Sequence, residues 1–168
     1  MSNPRVSDTA TLVRLLVKGG VEFIVVGMSA AVFLGVPATT LDLDIVHRRT
    51  PDNIERVLKL LAGIGAYYRH DLANRRLSPT AEALAGQGHQ NLQTNYGPLD
   101  LLCQLDDLGY DELLPRTILV EDGALSLRVL DLPTLIEVKT RAARPKDKLA
   151  LPLLLATLDE RRRRDDGG

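Results

Sequence analysis

The stretch FIVVGMSAAVFLGVPATTLDLDIV, residues 23–46, reads as strand, tight turn, short helix and strand. Ile24, Val25 and Val26 give a buried strand that stops at Gly27, and residues 29–34 give a short apolar helix ended by Gly35 and Pro37. Leu41-Asp42-Leu43-Asp44-Ile45 then alternates with period two. That predicts a strand with Leu41, Leu43 and Ile45 on one face and Asp42 with Asp44 on the other. Strands are normally poor in aspartate. Two carboxylates on one face repel, and each raises the other's pKa unless a cation lies between them. Hard oxygen donors at this spacing suit Mg²⁺, which takes one or two protein carboxylates and fills its other positions with water and phosphate oxygens. The turn at Gly27 opens a helix, and the N–H groups of a helix N-terminus attract anions. A cation site beside an anion site is equipment for handling a nucleoside triphosphate. The plainer alternative is a solvated edge strand beside an ordinary glycine turn.

Working outward, the 168 residues suggest one domain or one domain with a small appendage. A hydrophobic content of 45% with 26% charged residues fits an ordinary protein with a real core. The net charge of −1 gives no global electrostatic case for a nucleic-acid partner. The single cysteine excludes an internal disulfide and fits a reducing compartment. No apolar run approaches the roughly 20 residues that span a bilayer, so no membrane partner is expected. The segment MSNPRVSDTA carries no signal-peptide pattern, and a cytoplasmic location is expected.

Ser7 reads as the N-cap of a first helix through Leu12, Val13, Leu16 and Val17, closed by Gly19-Gly20. Thr50-Pro51 starts a second helix with an apolar stripe of Ile54, Val57, Leu58 and Leu61, ending near Gly63 and Gly65. Residues 66–70 read as a short strand. Residues 71–88 read as loop with one helical turn around 81–85. Residues 89–94 and 99–105 read as two strands joined by Asn95-Tyr96-Gly97-Pro98. On the second, Asp100, Leu102 and Gln104 share one face, and Leu99, Leu101, Cys103 and Leu105 the other. Cys103 is therefore expected to be a small buried residue and not a nucleophile. A helical turn at 110–114 precedes a hairpin of 118–121 with 125–130 around Asp122-Gly123. Asp131 caps a helix through 143 with Pro133 in its first turn, and Pro145 starts a last helix that Pro152 is expected to kink or restart. His47, His70 and His89 show no metal-ligand spacing, and the arginine run 161–164 reads as a solvated helix end favoured by the dipole.

With Asp42, Asp44 and Asp100 on strands, the chain resembles the nucleotidyltransferase superfamily related to DNA polymerase β, most of all small bacterial members of the abortive-infection toxin type. The residues that carry the likeness are Gly27, Ala30, Gly35, Thr40, Asp42 and Asp44 in the first block. TNYGPLDLL at 94–102 forms the second block, and LIEVK at 135–139 followed by RPKD at 144–147 forms the third. The likeness spans residue 23 to about residue 155, and the blocks keep their order. Met28 stands where the family has a second glycine or a serine, Ala38 where an arginine is usual, and Leu34 where a histidine is common.

The resemblance implies an α+β fold, a nucleotidyltransferase-like mixed β-sheet flanked by helices with a C-terminal helical segment. Residues 1–130 would be the core, and 131–168 would be helices packed on it in one compact unit. It implies two divalent cations, Mg²⁺ or Mn²⁺, held by Asp42 and Asp44, with Asp100 joining one ion and taking the acceptor's proton. It implies an NTP co-substrate cradled by Gly27 and the backbone near Ser29, with Lys139 and Lys146 as further phosphate contacts. Lys139 has a second reading as a solvated helix position, and Asp147 reads as a first-turn acid of the last helix. The implied reaction moves a nucleoside monophosphate onto a hydroxyl of tRNA, protein or a small molecule, in a toxin–antitoxin or abortive-infection setting with a cognate partner protein. Met28 and Ala38 keep a second class open, a catalytically weak or inactive member acting as a regulatory or antitoxin binding module.

Overall fold

The computed structural model describes residues 7–168. In chain order they form α1 (Thr9–Lys18), β1 (Phe23–Val25), α2 (Gly27–Phe33), β2 (Leu43–His47), α3 (Pro51–Gly63), β3 (Tyr67–Tyr68), α4 (Ala81–Ala85) and β4 (Gln90–Thr94). There follow β5 (Gly97–Leu102), α5 (Tyr110–Leu113), a 3-10 turn at Leu114–Arg116, β6 (Thr117–Asp122), β7 (Leu125–Leu130), α6 (Leu132–Ala142) and α7 (Pro145–Asp166). The strands make one mixed sheet in the order β3-β4-β5-β2-β1-β7-β6. The pairs β2·β5 and β1·β7 are parallel and the other four are antiparallel. The α+β expectation holds.

The centre of the sheet is apolar because its strands are buried on both faces. All three residues of β1 are buried, and β2 adds Leu43, Ile45 and Val46 at no exposure. Burial of this kind on β1 reads as a continuous hydrophobic run, while β2 and β5 break theirs at Asp44 and Asp100. Each fully buried aliphatic side chain contributes about 1.5–3 kcal/mol. α1 and α3 present the apolar stripes read from their sequences, Leu12, Val13 and Leu16 on one and Ile54, Val57 and Leu61 on the other. Asn53, with no exposed surface, braces this region. Its side chain accepts from the Glu22 N–H and donates to the carbonyls of Glu22 and Arg48. α2 packs on β2 and β7 and touches α6, and α6 lies along α7.

Several boundaries move. Asp8, not Ser7, caps α1, accepting from the Thr11 N–H at 3.0 Å, while the Ser7 hydroxyl donates to the Leu41 carbonyl. β1 ends at Val25, Val26 serves as N-cap, and α2 begins at Gly27 itself. The Asp-x-Asp strand begins at Leu43, so Asp42 precedes it and Leu41 is 73% exposed instead of sharing the core face. The reason is that the Asp42 carbonyl accepts from the hydroxyls of Ser29 and Thr40, which takes it out of the ladder.

The turn after β4 is only Asn95-Tyr96. Gly97 already pairs with Thr94, held in a left-handed φ of +115°. β5 stops at Leu102, and Leu105 is only partly buried. The β6–β7 turn is Gly123-Ala124, one residue later than expected, since Asp122 pairs with Leu125. Asp131 caps α6 as read, accepting from the Thr134 N–H at 2.8 Å. Pro152 does not restart α7, which runs through it. Pro152 is exposed, so the carbonyl it leaves unbonded one turn earlier can be solvated. Cys103 is buried, with its thiol donating to the Gln87 carbonyl.

Candidate active site

Asp44 and Asp100 are register partners on the parallel pair β2·β5, and Asn91 of β4 is opposite Asp100 on the other side. Register partners point to one face, so these three side chains form a row across the sheet. Asp44 is largely buried, and its pKa is pushed up to about 7. Burial is the main cause, followed by the adjacent Asp100 and then Asp42, with Lys146 opposing them. Two partly buried carboxylates this close share charge poorly, and a cation between them removes the conflict. Asp42, Asp44 and Asp100 all line one cleft of about 560 Å³, together with Lys146 and Arg144. A smaller hollow of about 170 Å³ continues from it along Gly27, Met28, Lys139 and Lys146.

Asp44 explains why the turn from β1 into α2 needs glycine at position 27. Its φ is +61°, and a Cβ there would stand 2.5 Å from Asp44 Oδ2. The Ser29 hydroxyl donates to the Asp42 carbonyl at 2.7 Å and accepts from the Asp44 N–H at 3.1 Å. Ser29 is thus a clip that sets the Asp-x-Asp backbone against α2. Its hydroxyl is occupied, so any help it gives to a phosphate comes from its backbone N–H. The first intrahelical bond of α2 runs from the Ala30 N–H to the Val26 carbonyl, so the N–H groups of 27–29 have no acceptor within the helix.

Lys139 and Lys146 separate. Lys146 is exposed and faces Asp44 across the cleft. Lys139 is buried, neither solvated nor free, and its ammonium donates to Asp147 Oδ1 at 3.2 Å. Asp147 has no exposed surface and also accepts from the Arg144 backbone N–H and guanidinium. These charge-assisted hydrogen bonds hold its carboxyl below the usual range against the cost of burial. The 144–147 block is therefore a buried junction between α6 and α7, with more to it than a first-turn charge. Arg161 likewise leaves the solvated run: it is half-buried and its guanidinium donates to the Leu34 carbonyl at the end of α2, while 162–164 are exposed. His47 is buried on the Leu84 carbonyl, and burial lowers its pKa.

The residue that the sequence reading missed is Arg69. It follows β3, and its Nη1 donates to Asp100 Oδ1 at 2.6 Å and to the Leu92 carbonyl at 2.9 Å. Its Nη2 lies 3.8 Å from Asp42 Oδ2. No local pattern marks it, because 31 residues separate it from Asp100 and only the β3–β4–β5 register brings them together.

The oxygen donors are of the type a hard divalent cation takes, and burial together with the neighbouring carboxylates raises the pKa of Asp44 in a way that a cation would relieve. Asp44 and Asp100 suit such an ion. Among the described residues, however, no three His, Cys, Asp or Glu side chains converge on one ion position.

No family model matches the chain, and no curated protein does. Among solved structures, a Thermotoga maritima protein provisionally named a nucleotidyltransferase superposes with a TM-score of 0.54 at 16% identity, over 92% of this chain and 98% of that one. The fold is nucleotidyltransferase-like. That likeness places the chain's architecture, and the chemistry rests on the side chains described above. No helix among the described residues is long and apolar enough to cross a membrane.

Proposed function

We propose that the protein is a metal-dependent nucleotidyltransferase that moves a nucleoside monophosphate from an NTP to a hydroxyl acceptor. The observation that carries this reading is the pairing of Asp44 with Asp100 on adjacent parallel strands, with Gly27 pressed against Asp44. Asp42, Asp44 and Asp100 would hold Mg²⁺ or Mn²⁺, which supplies charge neutralisation for the leaving pyrophosphate and activates the acceptor hydroxyl. Asp100, between Asp44 and Asn91 in the row, would receive the acceptor's proton. Lys146 is free to meet a triphosphate, and Gly27 leaves the backbone accessible. The acceptor class is tRNA, protein or a small molecule, and a toxin–antitoxin or abortive-infection setting with a partner protein suits the sequence resemblance.

A regulatory, non-catalytic role is the second reading. Met28 favours it, since its side chain lines the hollow where a triphosphate would lie, as does the occupied hydroxyl of Ser29.

Thermal unfolding with each NTP, with and without Mg²⁺ or Mn²⁺, tests both. Binding to the folded state raises the melting temperature by mass action. A shift on adding NTP that needs the metal, beyond any shift from the metal alone, and that Asp42→Asn removes, is expected. Labelled NTP incubated with total RNA, with the protein and with cell extract should then transfer label in an Asp100-dependent way. Binding without transfer would favour the regulatory reading. No metal-dependent shift with any NTP would sink the activity.

A further inference from the structure

We infer that Arg69 is a resident counter-cation of the aspartate cleft, which a divalent ion must displace from Asp42 and Asp100 before it can bind; this rests on the reading of those aspartates as a metal site. The guanidinium is placed where such an ion would act. It joins the carboxylates of Asp42 and Asp100, and its side chain is 19% exposed against 43% and 14% for theirs. The bond to the Leu92 carbonyl fixes the fork, so this is not a loose surface pair.

The other cations of the cleft do not duplicate it. Arg144 is tied to Asp147, and Lys146 faces Asp44. Arg69 also sits where withdrawal costs little core. β3 is a two-residue edge strand, and the segment 71–79 that follows holds no helix or strand. At that edge the Arg69 N–H donates to the Asn91 carbonyl and the Tyr68 N–H to the Leu77 carbonyl. Displacing the side chain leaves both backbone bonds in place.

The guanidinium and a metal ion compete for the same carboxylate oxygens, so removing one raises the affinity of the site for the other. Arg69→Gln is therefore expected to bind Mn²⁺ about tenfold more tightly than wild type, without nucleotide, by calorimetry or by paramagnetic resonance of free Mn²⁺. In EDTA the same variant should melt lower, because the carboxylates lose their partner, and Mn²⁺ should raise its melting temperature more than it raises that of wild type. Arg69→Lys keeps the charge without the fork, so its affinity should fall between the two. Loss of binding in Asp100→Asn locates the ion.

If wild type binds Mn²⁺ and Arg69→Gln binds no tighter, the role of Arg69 is overturned and the metal site stands. If neither binds, both fall. Should the glutamine variant fail to fold, the lysine variant is read alone: tighter binding supports the inference, and unchanged or weaker binding overturns it.

Discussion

A Cβ on residue 27 would stand 2.5 Å from Asp44 Oδ2, so Gly27 and Asp44 fit together only while residue 27 has no side chain. The positive φ of +61° adds a second demand for glycine. Together these make the turn a part of the carboxylate site and not merely a link between β1 and α2.

Gly27→Ala tests that relationship. The left-handed backbone costs an alanine roughly 1–2 kcal/mol, and displacing the buried Asp44 adds to it. A loss of about 3 kcal/mol is expected, which is about 10 °C in melting temperature for a chain of this size. The metal-and-NTP shift should vanish with it. An unchanged melting temperature would contradict the contact.

The raised pKa of Asp44 sets a pH dependence. Its folded pKa is about 7 against an ordinary value of 3.8, so between these the folded state holds a proton that the unfolded state has lost. Stability therefore falls as pH rises from about 4 through 7, by at most about 4 kcal/mol at roughly 1.4 kcal/mol per unit. Chemical denaturation in EDTA at pH 5 and pH 8 should show this fall, and Asp44→Asn should flatten it, leaving the variant more stable than wild type at pH 8. A divalent ion should flatten it too. A wild-type profile as flat as that of the variant would count against the buried pair.

Asp147 gives the opposite slope. Its folded pKa is depressed, so its contribution is present above the ordinary aspartate range and is lost as pH falls through the folded value. Asp147→Ala leaves Lys139 buried without a partner, and removing one member of such a pair costs about 3–5 kcal/mol. The expected melting temperature is about 10 °C below wild type. A change of only a degree or two would return Lys139 to the solvated reading that its position on α6 first allowed.

How much of this was legible varies residue by residue. Gly27, Asp44 and Asp100 stood out in the sequence because each is out of place where it occurs: a glycine between apolar runs, and carboxylates on strands. The cap at Asp131, the start of α3 at Pro51 and the stripes of α1 and α3 were legible because they depend on neighbours within a few positions. The β2 boundary was not, because the hydroxyls of Ser29 and Thr40 take the Asp42 carbonyl from the ladder. Nor was the fate of Lys139, since its pairing depends on the path of the chain through the α6–α7 junction.

The sequence by itself determined the order of elements, the apolar centre of the sheet and the three aspartates, since periodicity, capping and turn chemistry act over short spans. Tertiary structure decided which charges meet. Register across β3, β4, β5 and β2 put Arg69 beside Asp100 and Asp100 beside Asp44. Burial then turned that adjacency into a strong interaction, because two charges a few ångströms apart matter little in water and a great deal once water is excluded.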